Sequence, residues 1–228
     1  AHLSELAEKH FGALPSSSPG PAGVDDTPRF TGSELIFRDD NMELAHVAVA
    51  LESFGATSEH AFPLQVMQTL LGAWDRTSSA GRDMNSELAQ AAANGSLCHA
   101  FSTFNIPYRD TGLFGVYYIT EANKVQDMAH QTMENLVRLC HSVSTEEVNR
   151  AKAQLKANML MSLDNNASTC DEIGRHFLTY GRRLSPAEVF ARIDAVDVEA
   201  INETARNVID DQVSCFSLFF LLLFCFVL

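Results

Sequence analysis

The sequence has 228 residues, 46% of them apolar and 20% charged, enough for one sizeable globular domain with appendages. Sixteen Lys and Arg against 29 Asp and Glu leave a formal charge of −13, and no basic patch stands out to neutralise phosphates, so nucleic acid is not an expected partner. The five cysteines are odd in number and form no C-x-x-C pair, which argues against a disulfide framework.

Residues 2–14 place Leu3, Leu6, Ala7 and Phe11 at helical spacing, with Gly12 as a stop. The next stretch, PSSSPGPAGVDDTP, cannot bury enough apolar surface to order itself and reads as a linker over 15–29. A short helix followed at once by a linker reads as the end of a preceding domain, over 1–14. Folded-domain composition begins at Phe30. The apolar run Leu44–Leu51 predicts a strand buried on both faces. Helical spacing over 60–73 and 85–93 predicts two helices, the second ended by Gly95. Strands are predicted at Leu97–Phe104 and Leu113–Thr120, separated by PYRDTG, whose Pro, Asp and Gly supply turn chemistry.

After Glu121 the period becomes helical and stays so. Val125–Cys140 places Val125, Met128, Met133, Leu136, Val137 and Cys140 on one side. Ser144–Glu147 and Ser185–Glu188 read as capping boxes, and Asp197 as an N-cap for Val198–Ile209. Strand, two helices, two strands and a run of helices make an α+β fold, an antiparallel or mixed sheet covered by helices. The last sixteen residues, VSCFSLFFLLLFCFVL, carry no charge. As a helix they would span ~24 Å, short of the ~30 Å hydrocarbon core. Apolar on both faces, they also read as a poor sheet strand, so 213–228 stands as an atypical tail. It is read as a mis-joined end rather than a membrane anchor, and a membrane is a partner only if the tail is genuine.

No zinc or nucleophile motif is present. Two His on one helix face are what H-x-x-E-H supplies. Glu59-His60 ends such a motif, but position 56 is Ala. No G-x-S-x-G elbow, phosphate loop or Cys ligand set appears. Cys98-His99 are neighbours on a predicted strand and point to opposite faces, which makes them structural. Gly181-Arg-Arg183 reads as a solvated loop or a helix-end cation, and Arg150, Lys152 and Lys156 as an exposed helix face. By spacing alone Tyr108 and Arg109 are turn residues. These residues describe an acidic α+β domain without its own catalytic constellation.

Four segments stand out together in chain order: Phe30–Glu34 with Arg38–Asp40 and the strand after it; Leu71–Asp75 with Ser86–Gln90; Phe101–Asn105, Tyr108 and Asp110–Tyr117; and Asp171–Arg175 with Tyr180–Arg183 and Ala191–Val196. They resemble the pitrilysin-type (inverted-zincin) metallopeptidase family. Within the family they look most like the group of mitochondrial processing-peptidase β subunits and cytochrome bc1 core proteins, since the similar α subunits carry a long glycine-rich loop where Ser78–Asn85 is short and has one Gly. The resemblance implies a C-terminal half over 30–212, beside a separate half that binds zinc through H-x-x-E-H and a downstream Glu. This chain is then expected to bind no zinc or other cofactor and to be inactive alone. It implies an α subunit or other bc1 subunits as partners, basic presequence peptides as substrate, and the mitochondrial matrix or the matrix face of the inner membrane as location. It also implies that Asn105 and Tyr108 lie near the scissile peptide, with Tyr108 stabilising the oxyanion.

Overall fold

The structure, a computed structural model, describes residues 2–14, 29–39, 42–77, 84–210 and 215–220. Helix α1 (His2–Phe11) comes first, and none of its residues is buried. The strands are β1 (Glu34–Arg38), β2 (Ala45–Phe54), β3 (Ala73–Asp75), β4 (Ala100–Pro107), β5 (Thr111–Thr120) and β6 (Cys215–Phe220). They form a single sheet in the order β1-β6-β2-β5-β4-β3. All neighbours are antiparallel except β1 and β6. The helices that follow α1 are α2 (Ala61–Leu71), α3 (Glu87–Gly95), α4 (Val125–His141), α5 (Thr145–Ser162), α6 (Asn166–Tyr180), α7 (Pro186–Asp194) and α8 (Val198–Ile209).

Successive strand residues point to opposite faces, and burial separates those faces cleanly. Val47, Val49 and Leu51, Phe101 and Thr103, and Phe114, Val116 and Tyr118 are buried. With them pack Leu64 and Met67 of α2, Met128, Leu136 and Leu139 of α4, and Ile201 and Ala205 of α8. Each large apolar side chain buried there stabilises by roughly 1.5–3 kcal/mol, against roughly 1 kcal/mol for a helix cap. The sheet–helix interface, more than any cap, therefore holds the fold. The alternate residues His46, Ala48, Ala50, Tyr117, Ile119 and Phe104 are only partly covered. One face of the sheet thus stays open among the described residues. Gly115 is required there, because a β-carbon would run into the Val49 carbonyl and stand 2.7 Å from the tip of the Phe104 ring.

Local signals are honoured with some exceptions. The box at the start of α5 is complete, with Glu147 N–H donating to Ser144 Oγ at 3.2 Å and Ser144 N–H donating to Glu147 Oε2 at 3.0 Å. At α7 only half a box forms. Ser185 Oγ accepts from Glu188 N–H at 3.2 Å, while the Glu188 carboxylate is taken by Arg182 at 2.6 and 2.8 Å and by Arg192 at 2.8 Å. Gly72, at φ 70 and ψ −154, turns the chain from α2 into β3 in a region open essentially to glycine alone. On α4 the buried stripe is Met128, Thr132, Asn135, Leu136, Leu139 and Cys140. Met133 and Val137, expected on that stripe, are exposed.

The expectation for the apolar end is corrected. Cys215–Phe220 is a strand, inserted between β1 and β2 with registers Glu34↔Phe216 and Ala48↔Ser217. Pairing along both edges, with β1 on one side and β2 on the other, satisfies the backbone of this strand whatever its side-chain pattern. The sheet therefore reaches past residue 212. The linker stretch 15–28 and the positions 213–214 and 221–228 of the expected tail lie outside the described residues.

Candidate functional site

Strands β4 and β5 form a hairpin that closes on the pair Pro107↔Gly112, with Tyr108, Arg109 and Asp110 as its tip. Tyr108 N–H donates to the Thr111 carbonyl and its own carbonyl accepts from Ala56 N–H, both at 2.8 Å. The loop after β2 is thereby pinned to the tip. Thr111 Oγ1 adds bonds to Glu52 Oε1 and to the Ser53 carbonyl, each 3.3 Å. The backbone of the tip is thus fixed from two sides, while the Tyr108 side chain is 54% exposed and makes no side-chain hydrogen bond among the described residues. A fixed base under a solvent-facing phenol suits a group that waits for a ligand.

Asn105 sits differently. It shares the parity of Phe101 and Thr103, on the helix-covered face, and its Oδ1 is buried without a hydrogen-bond partner. The structure therefore places the two sequence-selected residues near each other in sequence but not on one surface. The open face carries its own polar groups. His46 Nδ1 and the Tyr117 hydroxyl lie 2.5 Å apart, and Glu52 shares the parity of His46 along β2.

Other sequence candidates resolve into structure. Cys98 is 2% exposed, and burial pushes its thiol up to about 12, so it is no nucleophile at neutral pH. His99 is turned away toward Glu121, 3.8 Å from its carboxylate. His60 is held by Thr204 Oγ1 at 2.9 Å and stacked on Phe54 at 4.4 Å. Lys156 pairs with Asp194 at 2.7 Å and Lys152 donates to the Asp194 carbonyl at 3.3 Å, joining α5 to the end of α7. Arg182 closes on Glu188, so half of the Arg-Arg pair is structural. Among the described residues no three His, Cys, Asp or Glu side chains gather where they could hold a metal ion, so a zinc ion does not fit them.

Comparison with known proteins decides the family. The domain described as peptidase M16 inactive domain matches residues 1–155. The chain belongs to the peptidase M16 family. M16 peptidases are zinc metallopeptidases, and the matched domain is the one named inactive. The chain is 45% identical over 210 residues to mitochondrial-processing peptidase subunit beta of Bos taurus, which covers 92% of this chain and 43% of that protein. It is 39% identical over 215 residues to the subunit of the same name from Lentinula edodes, covering 92% of this chain and 46% of that one. It therefore spans less than half the length of these curated relatives. A chain in the structure titled "Complex III2 from Candida albicans, Inz-5 bound" superimposes with a TM-score of 0.80 at 27% identity, over 83% of this chain and 46% of that one. The α+β architecture of this M16 domain agrees with that neighbour.

What the sequence did not single out is the brace beneath Tyr108. Gly55 and Ala56 lie beyond the expected end of β2, and no spacing rule pairs them with a turn fifty residues on. Tyr180 appears in the sequence only as part of a resemblance motif. A signal did exist, since an isolated Gly next to a strand end marks a close backbone approach.

Proposed function

We propose that this chain is the C-terminal, non-zinc-binding part of the β subunit of a mitochondrial presequence-processing metalloendopeptidase. The observation that carries the reading is 45% identity across 92% of the chain to a subunit of that name. In this reading residues 1–14 end a preceding domain, 15–29 link it, and the sheet domain begins at residue 30. The exposed Leu3, Leu6 and Phe11 of α1 support that first assignment, since an amphipathic helix buries such a stripe when its partner is present. The zinc half supplies the activated water. This chain supplies chamber wall, and its charge of −13 favours a basic peptide substrate. An α subunit completes the assembly, in the matrix or on the matrix face of the inner membrane. Among the described residues no helix is long and apolar enough to cross a membrane.

Within that wall the Tyr108 hydroxyl donates a hydrogen bond to the scissile carbonyl oxygen as charge grows there, while Asn105, its amide oxygen buried, stays part of the strand. The test uses the full-length β subunit with its α partner. Tyr108→Phe should lower kcat by about 10²–10³ with the melting temperature nearly unchanged. A variant that melts early but turns over normally would make Tyr108 scaffold. A second reading, a core subunit of the bc1 complex without proteolytic activity, is favoured by the 0.80 TM-score to a Complex III chain. An intact H-x-x-E-H in the other half of the polypeptide decides for the peptidase, and lost ligands decide for the core subunit.

A further inference from the structure

Helix α6 buries none of its residues, yet one of its side chains reaches the end of the sheet. The Tyr180 hydroxyl donates to the Ala56 carbonyl at 2.9 Å. The Ala56 N–H donates to the Tyr108 carbonyl, and the Tyr108 N–H to the Thr111 carbonyl, each at 2.8 Å. Three bonds in series thus run from α6, through the loop after β2, into the turn that carries the exposed phenol. The loop has no slack toward that turn. A β-carbon at Gly55 would stand 2.5 Å from the Arg109 carbonyl oxygen and 2.9 Å from the Asp110 carbonyl carbon. Tyr180 is held in its turn. Its ring meets His176 edge-on at 5.8 Å, and Gly181, at φ 70, ends the helix directly behind it. The Tyr180 phenol is protonated and a donor at neutral pH, and burial only raises its hydroxyl further above the ordinary range.

We infer that Tyr180 is a positioning residue for Tyr108: its hydroxyl fixes the Gly55–Ala56 loop, and that loop sets where the β4–β5 turn holds the phenol. The inference rests on the reading of Tyr108 given above. A displacement of about 1 Å at a reacting group is enough to cost a large factor in rate, and the Tyr180 hydroxyl is the bond that ties the loop under the turn to α6.

Tyr180→Phe keeps the ring and removes only the bond. In the full-length β subunit with its α partner it should lower kcat about three- to tenfold, the worth of one neutral hydrogen bond, while KM stays within about twofold. Amide exchange at Ala56 should quicken by a similar factor, while Val49 and Val116 in mid-sheet keep theirs. In the Tyr108→Phe background the same substitution should cost nothing further, because nothing is left to position. Unchanged exchange at Ala56, or a kcat loss that multiplies with that of Tyr108→Phe, overturns the inference. If Tyr108→Phe is costly and Tyr180→Phe silent, the positioning role falls and the Tyr108 reading stands. If Tyr108→Phe is itself silent, that reading falls and takes this one with it. Gly55→Ala tests the same point by pushing on the turn instead of releasing it. It should lower kcat with Tyr180 intact, and a folded Gly55→Ala enzyme of normal kcat counts against the inference.

Discussion

Helices α8 and α6 are locally alike. Each begins on a side-chain cap, Asp197 bonding Ala200 N–H at 2.8 Å and Asn165 bonding Ala167 N–H at 3.0 Å, and each carries apolar residues at helical spacing. They end in opposite situations. Helix α8 buries Ile201, Thr204, Ala205, Val208 and Ile209 against α4 and α2, while α6 buries no residue and leaves Phe177 and Leu178 in solvent. Capping and propensity decide that both segments are helices, and contact with the sheet layer decides which of them bears the fold. Helix α6 is instead attached near its two ends, by Tyr180, which packs at the margin of the core and bonds the Ala56 carbonyl, and by the Thr169 hydroxyl on the Leu163 carbonyl.

The largest effect should come from α8. Ile201 is fully buried, and Ile201→Ala leaves a cavity at the α8 contact, so urea unfolding should show a loss of about 2–5 kcal/mol. A loss below about 1 kcal/mol would mean that α8 does not anchor the layer.

The next tests the joint behind α6, where Arg182 and Arg192 hold Glu188. Hydrogen bonds from Arg182 keep that carboxyl at about 2, below its ordinary 4.5. A carboxyl depressed in the fold contributes stability above its ordinary value, and the contribution fades as pH falls from about 4.5 toward about 2. Glu188→Gln should therefore be less stable than the parent at pH 7 and should lose less on acidification across that window. Parallel stability–pH curves for the two proteins would show that the pair does nothing for the joint.

The smallest effect belongs to α6 itself. Leu178 is 88% exposed, and Leu178→Ser should move stability by no more than about 0.5 kcal/mol. A cost near that of Ile201→Ala would erase the difference between the two helices.

The sequence shows each of these regions to a different depth. Caps are legible because they are local: Ser144 and Asp197 act where spacing put them, and Glu188 departs from its box only because two arginines outbid a backbone N–H for its carboxylate. Burial on α4 was legible only in part, since 3.6-residue spacing draws a wide stripe and the neighbours pick its centre. Thr132 and Asn135 enter the core because their side chains bond the Met128 and Gln131 carbonyls one turn back. Strands β1 and β6 carry no clean alternation in sequence and β3 is only three residues long, so their pairing is what defines them. At the site, Tyr108 stood out by its motif, while its brace depends on contacts between residues far apart in the chain.

The placement of β6 also bears on the order in which this domain assembles. Strand β2 can pair with β5 as soon as residue 120 has left the ribosome, but its other edge, His46–Ala50, waits for residues 215–220. Strand β1 waits for the same residues and has no neighbour until they arrive, since Glu34 is matched with Phe216. Pairing across so much intervening chain raises contact order and slows the final step. During synthesis, the β2 edge is an open template that a second nascent chain could occupy before the proper strand arrives.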